Sequence, residues 1–483
     1  MREVINVEET QESEIIRFPK LKYLELVGLR NLENFYGGGS KLEFPKLKKL
    51  ILEMLESMRR FAKFENSSFL FHEKIDFPCL EALRVISVNN EVIGVWDKQL
   101  LSVTSNPAPM LKQLALGSSA GLRQIPSIVL ENLSSLVLVR FEDVDAVFSS
   151  SYLGMKKGFA WIYSQLPNLE ELKVKDSDSL KELFEKEDDN VIDDALSLFC
   201  GQIKTLELNT LPSLSLIPLP LFKNIASLTL FELGWSFLMS AHVLGDVLHQ
   251  LQFLSIEGCH SLEALVISVD SHFTLPRLKR LRLWNLLSFS GMSYISKNEA
   301  ALLLPSVESI EIKNCKKLKH FWSGSIVAPR LQDVSLDNCN NMLQFVIGNL
   351  EDTIELPSLE KVSFWCCHLI ESFSSGSLNA PKLQEVKLMG CPLMECFLPG
   401  NPNHDGDLQL PSLEIGYIAD CPSLCAFSLR RLVAPKLTQI EYYRKEYPML
   451  PYNDLNHFLQ KVNAISDCED QEDNEDDEDI NED

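Results

Sequence analysis

From Leu251 to Cys259 the chain reads L-x-x-L-x-I-x-x-C, and the same frame returns along most of its length. The clearest copies carry Leu251, Leu254, Ile256 and Cys259; Val307, Ile310, Ile312 and Cys315; Leu331, Val334, Leu336 and Cys339; Leu383, Val386, Leu388 and Cys391. Others change only the fourth slot, as in Leu21, Leu24, Leu26 with Leu29 and Leu278, Leu281, Leu283 with Leu286. A frame repeated at this scale describes a coil that cannot bury its own apolar side, so successive coils must stack to make a core.

The spacing defines a leucine-rich repeat solenoid, an α/β repeat class, of about sixteen turns between Phe18 and Tyr443. Within each turn, x-L-x-L-x alternates apolar and polar residues with period two, the pattern of a half-buried strand, and sequential strands pair in parallel. After the fourth slot the apolar spacing becomes three, as in Cys315, Leu318, Phe321, which suits tight 3₁₀-type turns on an irregular convex side rather than a full helix. The expected shape is a horseshoe whose parallel sheet is concave.

Proline stands two residues before the first apolar slot at Pro19, Pro45, Pro78, Pro109, Pro276, Pro305, Pro329, Pro357, Pro381, Pro411 and Pro435, and is expected to open the strand. From Pro276 onward these prolines are spaced 24 to 30 residues apart, so insertions lengthen coils without disturbing strand register.

The domain plan is a partial repeat with an acidic loop over 1–17, the solenoid over 18–450, a capping helix over 451–466 and a disordered acidic tail over 467–483. The long connections 143–165 and 186–199 read as rim loops in one continuous array, with a break into two arrays near Leu211 to Pro220 as the alternative. The net charge of −23 is concentrated in the tail, where residues 467–483 hold twelve acidic and no basic side chains; such a block repels itself.

The twelve cysteines do not form a disulfide framework. Cys259, Cys315, Cys339, Cys367, Cys391 and Cys421 share one slot, where a small side chain can bond the backbone of neighbouring coils as reduced thiol. No C-x-x-C pair supports zinc. Phosphate-loop, dinucleotide and H-E-x-x-H motifs are absent. Gly117 to Gly121 spells G-x-S-x-G, yet Ser119 falls in the fourth slot of a repeat, so a structural role outweighs a nucleophile. Gly37, Gly38 and Gly39 read as a connection, and His249, His260 and His272 as scattered residues. The chain is therefore expected to be no enzyme and to need no cofactor or metal. An acidic surface without a recurring basic stripe, Lys316, Lys317 and Lys319 being only local, argues against nucleic acid. No apolar run is long enough for a membrane span and the start lacks the features of a signal peptide, which predicts a cytoplasmic location, with the nucleus as the alternative.

If the frame holds, the x residues around the middle slots face the concave sheet. One column holds Trp284, Lys313, Asp337, Trp365, Met389, Ala419 and Tyr443; its neighbour holds Arg282, Glu311, Ser335, Ser363, Lys387 and Tyr417. Tryptophan and tyrosine beside arginine and lysine are residues that anchor protein interfaces, so Arg282, Trp284, Lys313, Trp365, Lys387, Met389, Tyr417 and Tyr443 form the candidate partner-binding face. In the alternative arrangement Trp284 or Trp365 packs under a rim loop.

Phe18-Pro19-Lys20-Leu21-Lys22-Tyr23-Leu24-Glu25-Leu26, Leu410-Pro411-Ser412-Leu413 and Cys421-Pro422-Ser423-Leu424 together resemble the carboxy-terminal repeats of plant nucleotide-binding leucine-rich-repeat disease resistance proteins, of the coiled-coil class in particular. The resemblance implies a recognition module that binds a pathogen effector or a guarded host protein, and it implies the nucleotide-binding domain of a full-length receptor as a further partner. The coiled coil and nucleotide-binding domain themselves have no counterpart in this sequence, which reads either as a fragment of a longer product or as a repeat-only relative. The acid run supports a different function, an acidic leucine-rich nuclear protein that binds basic partners such as histones.

Overall fold

A computed structural model describes residues 2–6, 15–64, 69–89, 92, 94–96, 106–117, 127–140, 146–148, 166–184, 200–215, 223–239, 248–269, 272–296, 301–347, 353–399, 407–437, 439–442, 445–448 and 459. The described residues form parallel β-coils of the leucine-rich repeat type with almost no helix. It divides into two compact units, Met1–Gly234 and Trp235–Asp483.

The main sheet of the first unit is built from β1 (Tyr23–Val27), β2 (Lys49–Leu55), β3 (Ala82–Val88), β4 (Gln113–Gly117), β5 (Ser135–Val139), β6 (Glu171–Lys175), β7 (Thr205–Leu211) and β8 (Ser227–Leu233). Every neighbouring pair is parallel, with equivalent repeat slots opposite one another. In the second unit the main sheet runs through β9 (Phe253–Glu257), β10 (Arg280–Trp284), β11 (Ser309–Lys313), β12 (Asp333–Asp337), β13 (Lys361–Trp365), β14 (Glu385–Met389), β15 (Ile415–Ala419) and β16 (Gln439–Tyr442). β17 (Lys445–Pro448) then pairs antiparallel with β16 and closes that edge. An antiparallel strand ending in proline blunts an edge that would otherwise offer free donors and acceptors.

The apolar slots do what their periodicity demands. Leu251, Leu281, Leu283, Leu331, Leu336, Leu383 and Leu388 are at most 1% exposed. Removing any one of these side chains costs about 2–5 kcal/mol, the range for leucine truncation in close-packed cores. Behind the sheet, Phe321, Phe345 and Phe373 stack coil upon coil with centroids 5.0 and 5.4 Å apart, and Phe397 and Phe427 meet at 4.9 Å.

The prolines do not open the strands. Each stands at the second position of a turn closed by the bond from the amide two residues on to the carbonyl before the proline, as in Leu278 N to Leu275 O (3.3 Å), Leu359 N to Leu356 O (3.0 Å) and Leu383 N to Ala380 O (3.1 Å). Proline is suited to that position because its fixed φ matches the turn and its missing donor is not needed there. The strand begins four residues later, at Arg280 after Pro276 and at Glu385 after Pro381. Past the fourth slot a single turn of the same bond pattern follows, from Leu318 N to Cys315 O and Met394 N to Cys391 O, both 3.2 Å. Short strands then line the back of the coil, such as Ala264–Val269 against Gly291–Ser296 and Cys396–Leu398 against Ala426–Ser428. The only 3₁₀ segment among the described residues is Leu248–Gln250.

The thiols of the fourth slot are buried and reduced. Cys315 and Cys339 donate to carbonyls of the preceding coil, Leu283 O at 3.5 Å and Ile312 O at 3.7 Å. Cys259, Cys367, Cys391 and Cys421 donate to a carbonyl two residues earlier in their own coil. The region expected to form a capping helix lies outside the described residues except Leu459, which is helical and fully buried. The acidic tail over 467–483 and the connections around 149–165 and 186–199 also lie outside them.

Candidate protein-binding face

The parallel register of the second unit aligns two columns across its coils. Trp284 stands opposite Lys313, then come Asp337, Trp365, Met389 and Ala419. Arg282, Glu311, Ser335, Ser363, Lys387 and Tyr417 form the adjacent column by the same pairings. Because strand side chains alternate, burying Leu281 and Leu283 obliges Arg282 and Trp284 to point away from the core.

Arg282 spans two coils. Its Nε and Nη2 donate to Glu311 at 3.0 and 3.5 Å, and its guanidinium lies 4.6 Å from the Trp284 ring centroid. That stacking leaves Trp284 half-buried beneath a neighbour on the same sheet. Trp365 is 41% exposed and donates from Nε1 to Ser363 Oγ at 2.8 Å. Lys313 pairs with Asp337 at 2.7 Å, a hydrogen bond that holds the lysine above its ordinary pKa. Lys387 pairs with Glu385 at 2.6 Å while lying 5.0 Å from the Tyr417 ring centroid. Met389 and Tyr417 are half-buried. Tyr443 lies outside the described residues.

Between Trp284 and Asp337 these side chains enclose a trough of about 520 Å³, floored by Ser309 and Ser335 and walled by Arg280, Glu311, Lys313 and Asp333. Burial raises the Asp333 carboxyl above its ordinary pKa; Glu311, Glu360 and Glu385 push the same way and Lys361 opposes. The site thus offers aromatic area, small residues that leave room, and charges of both signs already held in place. Such a surface suits a protein ligand more than a small molecule, which needs deeper enclosure.

Two structural features lie outside what the apolar slots of the repeat frame specify. In five coils of the second unit the residue after the main strand takes a left-handed conformation, at Asn285 (φ 55°), Asn314 (φ 54°), Asn338 (φ 54°), Cys366 (φ 50°) and Asp420 (φ 53°). Its amide reaches the next coil, from Asn285 N to Lys313 O and from Asn314 N to Asp337 O, both 2.8 Å. The asparagine side chains extend the ladder, Asn314 Nδ2 to Asn285 Oδ1 at 2.6 Å and Asn338 Nδ2 to Asn314 Oδ1 at 2.7 Å. This ladder borders the aromatic column, one residue beyond Trp284, Lys313 and Asp337.

In the first unit, the outward residues Ile86, Ala115 and Val139 are at most 9% exposed and pack with Val137, where polar residues would be expected. Gly117 is required beside them, since an added Cβ would lie 2.7 Å from Ile86 Cγ2. The surrounding trough of about 530 Å³ is flanked by Arg84 and Lys173, which pair with Glu53 and Glu171, each at 2.9 Å.

No catalytic constellation appears among the described residues, and no group of three or more His, Cys, Asp or Glu side chains could hold a metal there. His249, His260 and His272 sit on three different elements, and Ser119 lies outside the described residues. Gly37 and Gly38 form a bend after the short strand Asn34–Tyr36. Lys316, Lys317 and Lys319 are exposed on the turn after Cys315. No described helix is long and apolar enough to cross a membrane.

The fold defines a leucine-rich repeat protein. A family model described as "Plant disease resistance protein RPS2-like, leucine-rich repeats" matches residues 216–340, about a quarter of the chain. No curated protein matches the chain. Arg282, Trp284 and Lys313 fall inside the matched stretch, and Trp365, Lys387, Met389 and Tyr417 follow it.

Proposed function

We propose that this chain is a non-catalytic recognition module of the disease-resistance type, which binds a pathogen effector or a guarded host protein on the main-sheet face of its second unit. The observation that carries the reading is the unbroken register from Trp284 to Met389, which lines up two tryptophans, a methionine and three ion-paired cations on one outward surface. Interface energy concentrates in such aromatic and arginine anchors. The match to resistance-protein repeats supports the biological class, and a nucleotide-binding domain in the same receptor is the second partner that class implies.

A photo-crosslinking side chain placed at Ser335 or Ser363, on the floor of the face, tests this in plant cells exposed to a pathogen. The reading predicts capture of one dominant protein from both positions. Capture from Val327 or Leu429, exposed apolar positions outside the face, with none from Ser335 or Ser363, would contradict it.

A further inference from the structure

In the trough between Trp284 and Asp337 the charges do not balance. Two cations and four carboxylates line it, Arg280 and Lys313 against Glu308, Glu311, Asp333 and Asp337. Two of the carboxylates are already held, Glu311 by Arg282 at 3.0 Å and Asp337 by Lys313 at 2.7 Å. Glu308 and Asp333 are half-buried on neighbouring coils joined by Asp333 N to Glu308 O at 3.1 Å. Among the described residues, neither carboxylate enters an ion pair or a side-chain hydrogen bond.

The cations nearest Asp333 are drawn elsewhere. Arg280 stands two strands away and lies over the Phe253 ring on β9, 5.7 Å from its centroid. Lys361 stands directly opposite Asp333 in the register, yet its Nζ goes to Glu385 on the far side at 3.8 Å. Between Arg280 and Asp333 the intervening residue is Ser309, so no bulky side chain fills the gap. A carboxylate partly withdrawn from water and facing the further acids Glu311, Glu360 and Glu385 gains most from an incoming cation. The described residues gather no set of three ligating side chains that would make this cation a metal ion.

We propose that the face selects partners that present an arginine, whose guanidinium enters the trough beside Ser309 and pairs with Asp333 and Glu308. The planar fork of guanidinium donors suits two carboxylates and a hydroxyl better than a compact ammonium does. The tryptophans anchor the partner, and Asp333 decides which partner is accepted. The inference rests on the face proposed above and names the chemistry that face recognises.

The test uses the full chain and a phage-displayed library of random dodecapeptides, panned on wild type and depleted on Trp284→Ala/Trp365→Ala so that only binders of the face remain. The enriched peptides are expected to share an arginine. Synthesised singly, they should lose at least about tenfold in affinity when that arginine becomes citrulline, which keeps the shape without the charge, and as much on Asp333→Asn. With both changes together the loss should not grow, the mark of a direct contact in a double-mutant cycle. Enriched peptides without arginine, unchanged affinity on Asp333→Asn with native circular dichroism, or losses that add when combined would overturn the proposal and leave the face standing. A library that yields no tryptophan-dependent peptide would overturn the face and this inference with it.

Discussion

The guanidinium of Arg282 lies 4.6 Å from the Trp284 ring centroid while its Nε donates to Glu311 on the next strand at 3.0 Å, so one side chain ties an aromatic anchor to the neighbouring coil. Both ion-pair partners are more than a third exposed, and exposed pairs contribute little to stability. Arg282→Ala is expected to change unfolding free energy by less than about 1 kcal/mol in urea titration. It should still lower partner affinity about tenfold, because Trp284 loses the group that orients it. A large stability loss with unchanged affinity would reverse that assignment.

The asparagine ladder makes the opposite prediction, a stability effect without a binding role. At φ 54°, Asn314 holds a backbone that a β-carbon disfavours, and its amide joins two neighbouring asparagines. Asn314→Ala should cost about 2–3 kcal/mol, combining left-handed strain with lost hydrogen bonds. Asn314→Gly should recover the backbone share. Equal losses in both variants would show that the conformation contributes nothing.

Thiol reactivity should follow position in the coil. Cys366 and Cys425 are exposed, whereas Cys315, Cys339, Cys367, Cys391 and Cys421 are buried. Iodoacetamide is therefore expected to label the first two in native protein and the others only after denaturation, as read by peptide mass spectrometry. Rapid native labelling of Cys339 or Cys391 would mean the stack opens.

Burial raises the Cys315 thiol from 9.0 to about 12 and the Cys396 thiol to about 11. A folded pKa above the unfolded one means the unfolded chain releases its proton first. Stability should be full below pH 9.0 and decline from there towards about 12, with the folded state failing on the alkaline side. Cys315→Ser combined with Cys396→Ser should flatten that decline in pH-dependent urea melts; an unchanged slope would assign it to other groups.

Ser377 Oγ is buried without a hydrogen-bond partner. Ser377→Ala should be neutral or stabilise by up to about 1 kcal/mol, since an unsatisfied hydroxyl is removed. A clear loss of stability would reveal a partner for it.

The face was legible because its geometry follows from two counts, a strand period of two and a fixed repeat frame. Once Leu281 and Leu283 are assigned to the core, Arg282 and Trp284 must face outward and align with Glu311 and Lys313, as the register shows. The asparagine corner left a readable trace, the repeated Asn-Cys pairs at Asn314-Cys315 and Asn338-Cys339, but its left-handed backbone is invisible to an apolar frame. Proline was misplaced because a turn and a strand start tolerate the same missing donor; only the bond across Leu275 and Leu278 separates them. In the first unit the signal was a lapse of alternation, in Ser135-Leu136-Val137-Leu138-Val139, which leaves apolar residues on both sheet faces. β17 carries no repeat slots, so nothing in the frame announced it.

The central claim is tested most directly by titrating the crosslinked partner, once purified, against wild type and the Trp284→Ala/Trp365→Ala variant by isothermal calorimetry. The account predicts unchanged circular dichroism and a dissociation constant raised at least about a hundredfold, the loss expected when two aromatic anchors are removed. Affinity within about twofold of wild type, on a folded variant, would contradict it.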